Sequence, residues 1–211
     1  MIKIVIVDDH KIVRQGLKQI MALAPDVTVV GEAANGQEAL GVLAHNECDI
    51  LLLDMTMPGL SGVELIKRVK QHELAPLILV LSMHNEGQLV TRALKAGASG
   101  YITKDSDPEM LVAAVRKIAR GGRYIDPALV DEMVFDQGLD GSRLPHERLS
   151  DREFQIFQLL VAGKSVTSIA EGLSLSAKTI STHKLRLMQK MHMQSVAELT
   201  RYAMEHRLIE L

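Results

Sequence analysis

Apolar residues fall into two periodic regimes along this chain. Over the first 120 residues, short unbroken apolar runs alternate with longer stretches patterned at helical spacing. The runs are Lys3 to Val7, Val27 to Ala33, Ile50 to Leu53, Leu77 to Leu81 and Gly100 to Thr103. Their length and composition suit strands buried on both faces. After the first run, Ile12, Val13, Leu17, Ile20 and Met21 keep helical spacing until Pro25-Asp26 breaks it. Asn35-Gly36 opens a second helix through Ala39, Leu40 and Leu43, and a third runs from Ser61 to Lys70 with Val63, Ile66 and Val69 inward. A fourth covers Gln88 to Lys95. The fifth starts at Asp107-Pro108, with proline near the first helical position, and carries Leu111, Val112, Val115, Ile118 and Ala119. Five strands alternating with five helices predict an α/β, doubly wound, five-stranded parallel sheet with helices on both faces.

From Leu149 onward the pattern is helical only. Ser150-Asp151-Arg152-Glu153 is a capping box, with Leu149 and Phe154 placed to form the hydrophobic staple. Phe154, Phe157, Leu160 and Val161 form the inward stripe, and Gly163 stops that helix. A short helix over Val166 to Leu173 is followed by the turn Leu173-Ser174-Leu175-Ser176, in which Ser176 is the next N-cap. A third helix spans Ala177 to Met191 and a fourth Val196 to about Glu205, giving a small all-α four-helix domain. Between the two regimes lie Gly121-Gly122, a short helix from Pro127 to Phe135, and DQGLDGSRLPHER. Gly138, Gly141, Ser142 and Pro145 mark that second half as a tether. The expected division is a first domain over 1–120, a linker over 121–147 and a second domain over 148–211.

Composition narrows the function classes. The chain has 211 residues, 47% of them hydrophobic, enough for two packed cores. Its formal charge of -2 is unevenly spread: residues 1–120 carry 13 Lys/Arg against 14 Asp/Glu, residues 121–149 carry 3 against 6, and residues 150–211 carry 8 against 6. The one cysteine, Cys48, excludes an intrachain disulfide and a thiolate metal cage, and its place before an apolar run makes it a small core residue. No apolar stretch reaches membrane-spanning length, and the N-terminus enters a strand directly. The expectation is a soluble, cytoplasmic protein without a membrane partner.

Candidate chemistry gathers where the runs end. The first stops at Asp8-Asp9, the third at Asp54, the fourth at Ser82 and the fifth at Lys104. In a parallel sheet all these ends share one edge, the edge at which ligands bind. Three carboxylates beside one ammonium suit a hard divalent cation and a phosphoryl group, because the metal offsets the repulsion among the acids. A dinucleotide domain would need a glycine-rich turn after the first strand, where this chain has Asp8-Asp9-His10-Lys11. A phosphatase with an aspartyl nucleophile usually has a second acid two residues on, where this chain has Thr56. His10 and His84 lie near the same edge and read as surface or supporting residues.

On the Ala177 to Met191 helix, Ile180, Lys184, Leu187 and Met191 share one face. Lys178, Thr182, Leu185, Arg186 and Gln189 lie opposite, with Ser181 at the edge. Four basic residues and no acids occur from Lys178 to Lys190. A short helix, a tight turn and a basic-polar helix fit a helix-turn-helix reader of the major groove.

These residues carry a family resemblance. Asp8-Asp9, Asp54 with Pro58, Ser82 and Tyr101-x-x-Lys104 resemble the receiver domain of bacterial response regulators over roughly 1–120. LSDREFQIFQLLVAGKSVTSIAEGLSLSAKTISTHK resembles the LuxR-type helix-turn-helix over about 148–208. Together they resemble a response regulator of the NarL/FixJ class, with a flavodoxin-like receiver. The resemblance implies that Asp54 is the phosphoacceptor, served by a sensor histidine kinase. It implies that Asp9, Asp54 and the Thr56 backbone carbonyl ligate Mg2+, with Asp8 acting mainly through a water. Lys104 and Ser82 would contact phosphoryl oxygens, and Tyr101 would be the switch aromatic. It further implies self-phosphorylation from small phosphodonors and slow autodephosphorylation without other catalysis.

By the same likeness the Ala177 to Met191 helix enters the groove of double-stranded promoter DNA, and the last helix is a dimer surface in a homodimer formed on phosphorylation. Thr179 and His183 match common family positions. Ser181 stands where the family often has Lys, so base contacts do not transfer. Lys178, Lys184, Arg186 and Lys190 are expected on phosphates, which position without specifying sequence. Ser181 and Thr182 are expected on bases, and Leu185 on a thymine methyl or a partner surface. Two other readings are a constitutive DNA binder with a vestigial receiver and a phosphorylation-gated protein-interaction module.

Overall fold

The computed structural model describes residues 1–57, 59–60, 62–72, 74–83, 87–130, 144–173, 175–206 and 208. Pro58, Ser61, His84, Ser174, the helix expected as far as Phe135 beyond residue 130, and the tether glycines Gly138 and Gly141 with Ser142 lie outside the described residues. The chain divides into two compact units, Met1–Asp136 and Gln137–Leu211.

In the first unit the elements alternate as β1 (Ile2–Val7), α1 (Lys11–Ala22), β2 (Val27–Ala33), α2 (Gly36–His45), β3 (Ile50–Asp54), α3 (Gly62–Lys70), β4 (Leu77–Ser82), α4 (Gly87–Ala96), β5 (Gly100–Thr103), α5 (Pro108–Ala119) and β6 (Tyr124–Ile125). All strand pairs are parallel, in the order β2-β1-β3-β4-β5-β6. β3 is buried at every residue, as its uninterrupted apolar run requires of a central strand. Side chains alternate between the sheet faces. Ile4, Ile6, Ile50, Leu52, Leu79, Leu81 and Ile102 make one core with Leu111, Val115 and Ile118 of α5 and Leu17 and Met21 of α1.

The expectation of five strands is corrected to six. Tyr124 and Ile125 pair with Gly100 and Tyr101, in a stretch the sequence reading assigned to the linker. Two residues are too short a run to register as a strand by periodicity. The turn before it is made by Gly121, whose φ of 81° favours glycine. Beyond β6, Pro127 to Val130 begins a helical turn.

The second unit is helical: a 3-10 turn over Pro145–Arg148, then α6 (Asp151–Val161), α7 (Val166–Gly172), α8 (Ala177–Met191) and α9 (Val196–Glu205). Ser150, Ser165, Ser176 and Ser195 each cap one of these helices, accepting from the N–H three residues on. Each such cap is worth about 1 kcal/mol. The Ser150–Glu153 box is reciprocal: Glu153 Oε2 accepts from the Ser150 N–H at 2.8 Å. Phe157, Ile180, Leu187 and Leu199 are fully buried among the helices. The Pro145–Arg148 turn, read from sequence as tether, is pinned because His146 is buried and its Nδ1 lies 2.7 Å from Tyr202 Oη on α9.

Candidate functional site

The parallel register assembles the acidic edge. Val7 pairs with Leu53, so Asp8 and Asp54 leave adjacent strands side by side at the crossover between β1 and β3. Asp54 pairs with Leu81 and Ser82 with Thr103, which sets Ser82 and then Lys104 one step further along the same edge. Asp8 and Asp54 are 1% and 3% exposed. Lys104 Nζ lies 2.7 Å from Asp8 Oδ2 and 2.9 Å from Asp54 Oδ2. Asp54 Oδ1 accepts the Thr56 N–H at 3.1 Å, and Asp8 Oδ1 accepts the His10 N–H at 2.7 Å. Arg14 donates to the Asp8 carbonyl at 2.7 Å.

Burial pushes the Asp54 carboxyl above its ordinary value, and the charge and hydrogen bond of Lys104 work against that rise. For Lys104, burial pushes the ammonium down, but the hydrogen bond to Asp8 and the charge of Asp54 outweigh it and the net shift is upward. Three carboxylates meet one ammonium here, so an excess of negative charge stays in a poorly hydrated place. Asp8, Asp9, His10 and Asp54 all offer ligand atoms within 4.8 Å of one another. Asp9 Oδ1 is buried and accepts no hydrogen bond, although His10 Nδ1 approaches it to 2.9 Å. Hard oxygens, excess charge and an unsatisfied carboxylate oxygen fit a divalent cation such as Mg2+. His10, expected as a surface or supporting residue, is an exposed side chain placed beside the acids.

The loop after Asp54 is seated from α2. Asn35 Oδ1 caps that helix, and Gly36 follows at its first turn. A Cβ at Gly36 would stand 2.0 Å from the Leu60 carbonyl oxygen, so the loop after Asp54 approaches α2 as only glycine allows. Tyr101 on β5 is fully buried, as is Ser82 on β4.

The second candidate surface is the outward side of α8. Ile180, Leu187 and Met191 are buried against the other helices. Lys178, Ser181, Thr182, Arg186, Gln189 and Lys190 are exposed, and Lys184 and Thr179 are half-buried. Leu185 is 60% exposed, unusual for a leucine inside a helix. Thr182 donates its hydroxyl to the Lys178 carbonyl at 3.0 Å, and Thr179 Oγ1 lies 2.8 Å from Ser176 Oγ. Lys190 differs from the other cations: its Nζ is 2.5 Å from Glu153 Oε2, tying the end of α8 to the start of α6. Burial pushes the Glu153 carboxyl up, but Lys190 and Ser150 prevail and hold it below its ordinary range.

Residues 4–116 match the family of response regulator receiver domains, and residues 147–203 match the luxR family of bacterial regulatory proteins. The chain belongs to the LuxR-type response regulators. Members of this class are phosphorylation-controlled, DNA-binding transcription regulators of two-component systems, and not classical enzymes. The response regulator UvrY of Escherichia coli is 34% identical across 99% of this chain and 96% of its own length. The oxygen regulatory protein NreC of Staphylococcus carnosus is 38% identical across 99% of both chains. Among solved structures, RcsB of Salmonella enterica serovar Typhimurium, bound to promoter rprA with the phosphomimetic BeF3-, aligns with a TM-score of 0.73. That match is at 29% identity and covers 96% of this chain and 98% of that one. A structure of two RcsB dimers on two parallel DNAs aligns at 0.62 and 28% identity, over 95% and 96%. Among the described residues no helix of this response regulator is long and apolar enough to cross a membrane.

Proposed function

We propose that Asp54 accepts a phosphoryl group from the phosphohistidine of a sensor histidine kinase, and that this charge controls how the helical domain engages promoter DNA. The observation that carries the reading is the Lys104 ammonium held between Asp54 and Asp8 on a buried edge. An Asp54 carboxylate oxygen attacks phosphorus. The nitrogen–phosphorus bond breaks, its electron pair leaves with the imidazole, and an acyl phosphate remains. Lys104 then pairs with a phosphoryl oxygen and Ser82 donates to another. Asp8, Asp9 and Asp54, with the Thr56 carbonyl, are the groups to hold Mg2+, which when bound supplies countercharge to the transferring group. Thr56 stands where a general acid would speed hydrolysis, so autodephosphorylation is slow. Ser82 moves toward the phosphoryl group to make its hydrogen bond, and Tyr101 is the switch aromatic that turns inward with it.

On the DNA side, Lys178, Lys184 and Arg186 contact phosphates, while Lys190 braces α8 through Glu153 before it contributes charge. Ser181 and Thr182 read base edges, Leu185 packs on a thymine methyl, and Thr179 secures the helix start. The phosphorylated protein acts as a homodimer on two half-sites, in the cytoplasm. The RcsB complexes, on DNA and with a phosphomimetic, support this reading.

The test is incorporation of label from a small phosphodonor or a phosphorylated kinase, with Mg2+ or with chelator. Label on the wild type with Mg2+, lost on chelation and in Asp54→Asn, is the expected result. Equal labelling of Asp54→Asn would refute the assignment.

A further inference from the structure

The first unit contains a second buried acid, Asp126, that phosphoryl transfer does not use. It is 3% exposed and stands directly after β6. Its Oδ2 accepts from Ser106 Oγ at 2.5 Å and Thr103 Oγ1 at 3.0 Å, and the Thr103 N–H reaches it at 3.4 Å. Its Oδ1 accepts the Ala128 N–H at 3.1 Å. On the main chain, the Asp126 N–H donates to the Tyr101 carbonyl at 2.9 Å, and the Leu129 N–H donates to the Asp126 carbonyl at 2.9 Å. Burial pushes the carboxyl up, yet the bonds from Ser106, Ala128 and Thr103 hold it below its ordinary range. A carboxylate that only capped the helical turn at 127–130 would need Oδ1 alone. The other oxygen is committed to the turn between β5 and α5, the turn on which Lys104 stands.

We propose that Asp126 mechanically couples the Lys104 turn to the start of the connector. This rests on Asp54 being the phosphoacceptor. Lys104 is flanked by the two donors to Asp126: Thr103 precedes it and Ser106 follows two residues later. The turn is short: the Ser106 N–H on the Thr103 carbonyl at 3.2 Å closes it, and the Lys104 N–H on the Ser82 carbonyl at 2.9 Å ties it to β4. New phosphoryl oxygens beyond Asp54 shift the position that Lys104 must reach. Movement of its backbone carries Thr103 and Ser106, and through them Asp126 and the residues it caps. The Tyr101 carbonyl bond joins the switch aromatic's strand to the same point.

The test uses the full chain and backbone amide exchange at 128–130, with Mg2+ alone and with fluoroberyllate. Two variants separate coupling from capping. Ser106→Ala removes one bond on the turn side and leaves the cap intact, whereas Asp126→Ser keeps an N-cap hydroxyl but withdraws from the turn. In the wild type, fluoroberyllate is expected to change exchange at 128–130 by about fivefold or more. In Asp126→Ser that change is expected to vanish and in Ser106→Ala, which keeps the Thr103 bonds, to shrink, while fluoroberyllate still protects amides around 54–57. A wild-type change that persists in both variants overturns the coupling. Protection at 54–57 without any change at 128–130 in the wild type overturns it equally. Absence of protection at 54–57 in the wild type would instead bring down the phosphoacceptor reading, and the coupling with it.

Discussion

Asp8 and Asp54 at the sheet edge are 1% and 3% exposed and share one ammonium, whereas Lys178 and Arg186 on α8 stand in solvent. Both regions are charged, but the physical meaning of the charge differs. Removing an ion from water costs several kcal/mol unless it is paired, so a buried carboxylate set is retained for what it does or what it pairs with. A solvated cation costs almost nothing to keep and is worth about 0–1 kcal/mol to the fold. The receiver edge therefore declares its chemistry in its geometry. The helix face declares it only through its helix-turn-helix setting, because its partner supplies the opposite charge.

Substitutions sharpen this contrast. The largest effect is expected from Asp54→Asn, which removes the proposed nucleophile: labelling falls to background while thermal unfolding shows the receiver still folded. Next comes Leu187→Ala on the buried side of α8, where the side chain is fully buried. It is expected to destabilise the helical domain by about 2–5 kcal/mol in denaturant titration, with phosphorylation untouched. Gly36→Ala should cost about 1–3 kcal/mol, because its Cβ meets the Leu60 carbonyl and the loop after Asp54 must shift. Weaker Mg2+ binding by calorimetry should accompany that loss.

Smaller still is an acid effect on the second unit. Glu153 has a folded pKa below its ordinary 4.5, so its stabilisation is complete above 4.5 and is lost as pH falls through the lowered folded value. Glu153→Gln should flatten that acid limb in pH-dependent unfolding of the helical domain. The smallest structural effect belongs to Lys178→Ala: stability unchanged, and the slope of log affinity against log salt shallower by about one phosphate contact. A large stability loss from Lys178→Ala would break the contrast between the two regions.

The same contrast explains what was legible in the sequence. β3, β5, α5, α8 and α9 lie where periodicity and caps put them, because each carries a full apolar stripe or a serine cap. β6 was missed because two residues make no pattern, and Asp126 went with it, its role depending on Thr103 and Ser106 some 20 residues earlier in the chain. His146 was hidden by a tether-like composition, and only its Tyr202 contact, 56 residues on, explains its burial. The pairing of Lys190 with Glu153, 37 residues earlier in the chain, leaves no local pattern either. Long-range pairs between polar residues are invisible to local periodicity.

The most direct measurement of the central claim is affinity of the full chain for a duplex selected from a random library, with Mg2+, with and without fluoroberyllate, in the wild type and Asp54→Asn. The account expects fluoroberyllate to tighten binding by about tenfold in the wild type and not at all in Asp54→Asn. Equal affinity in all four conditions, with fluoroberyllate bound at Asp54, would contradict it.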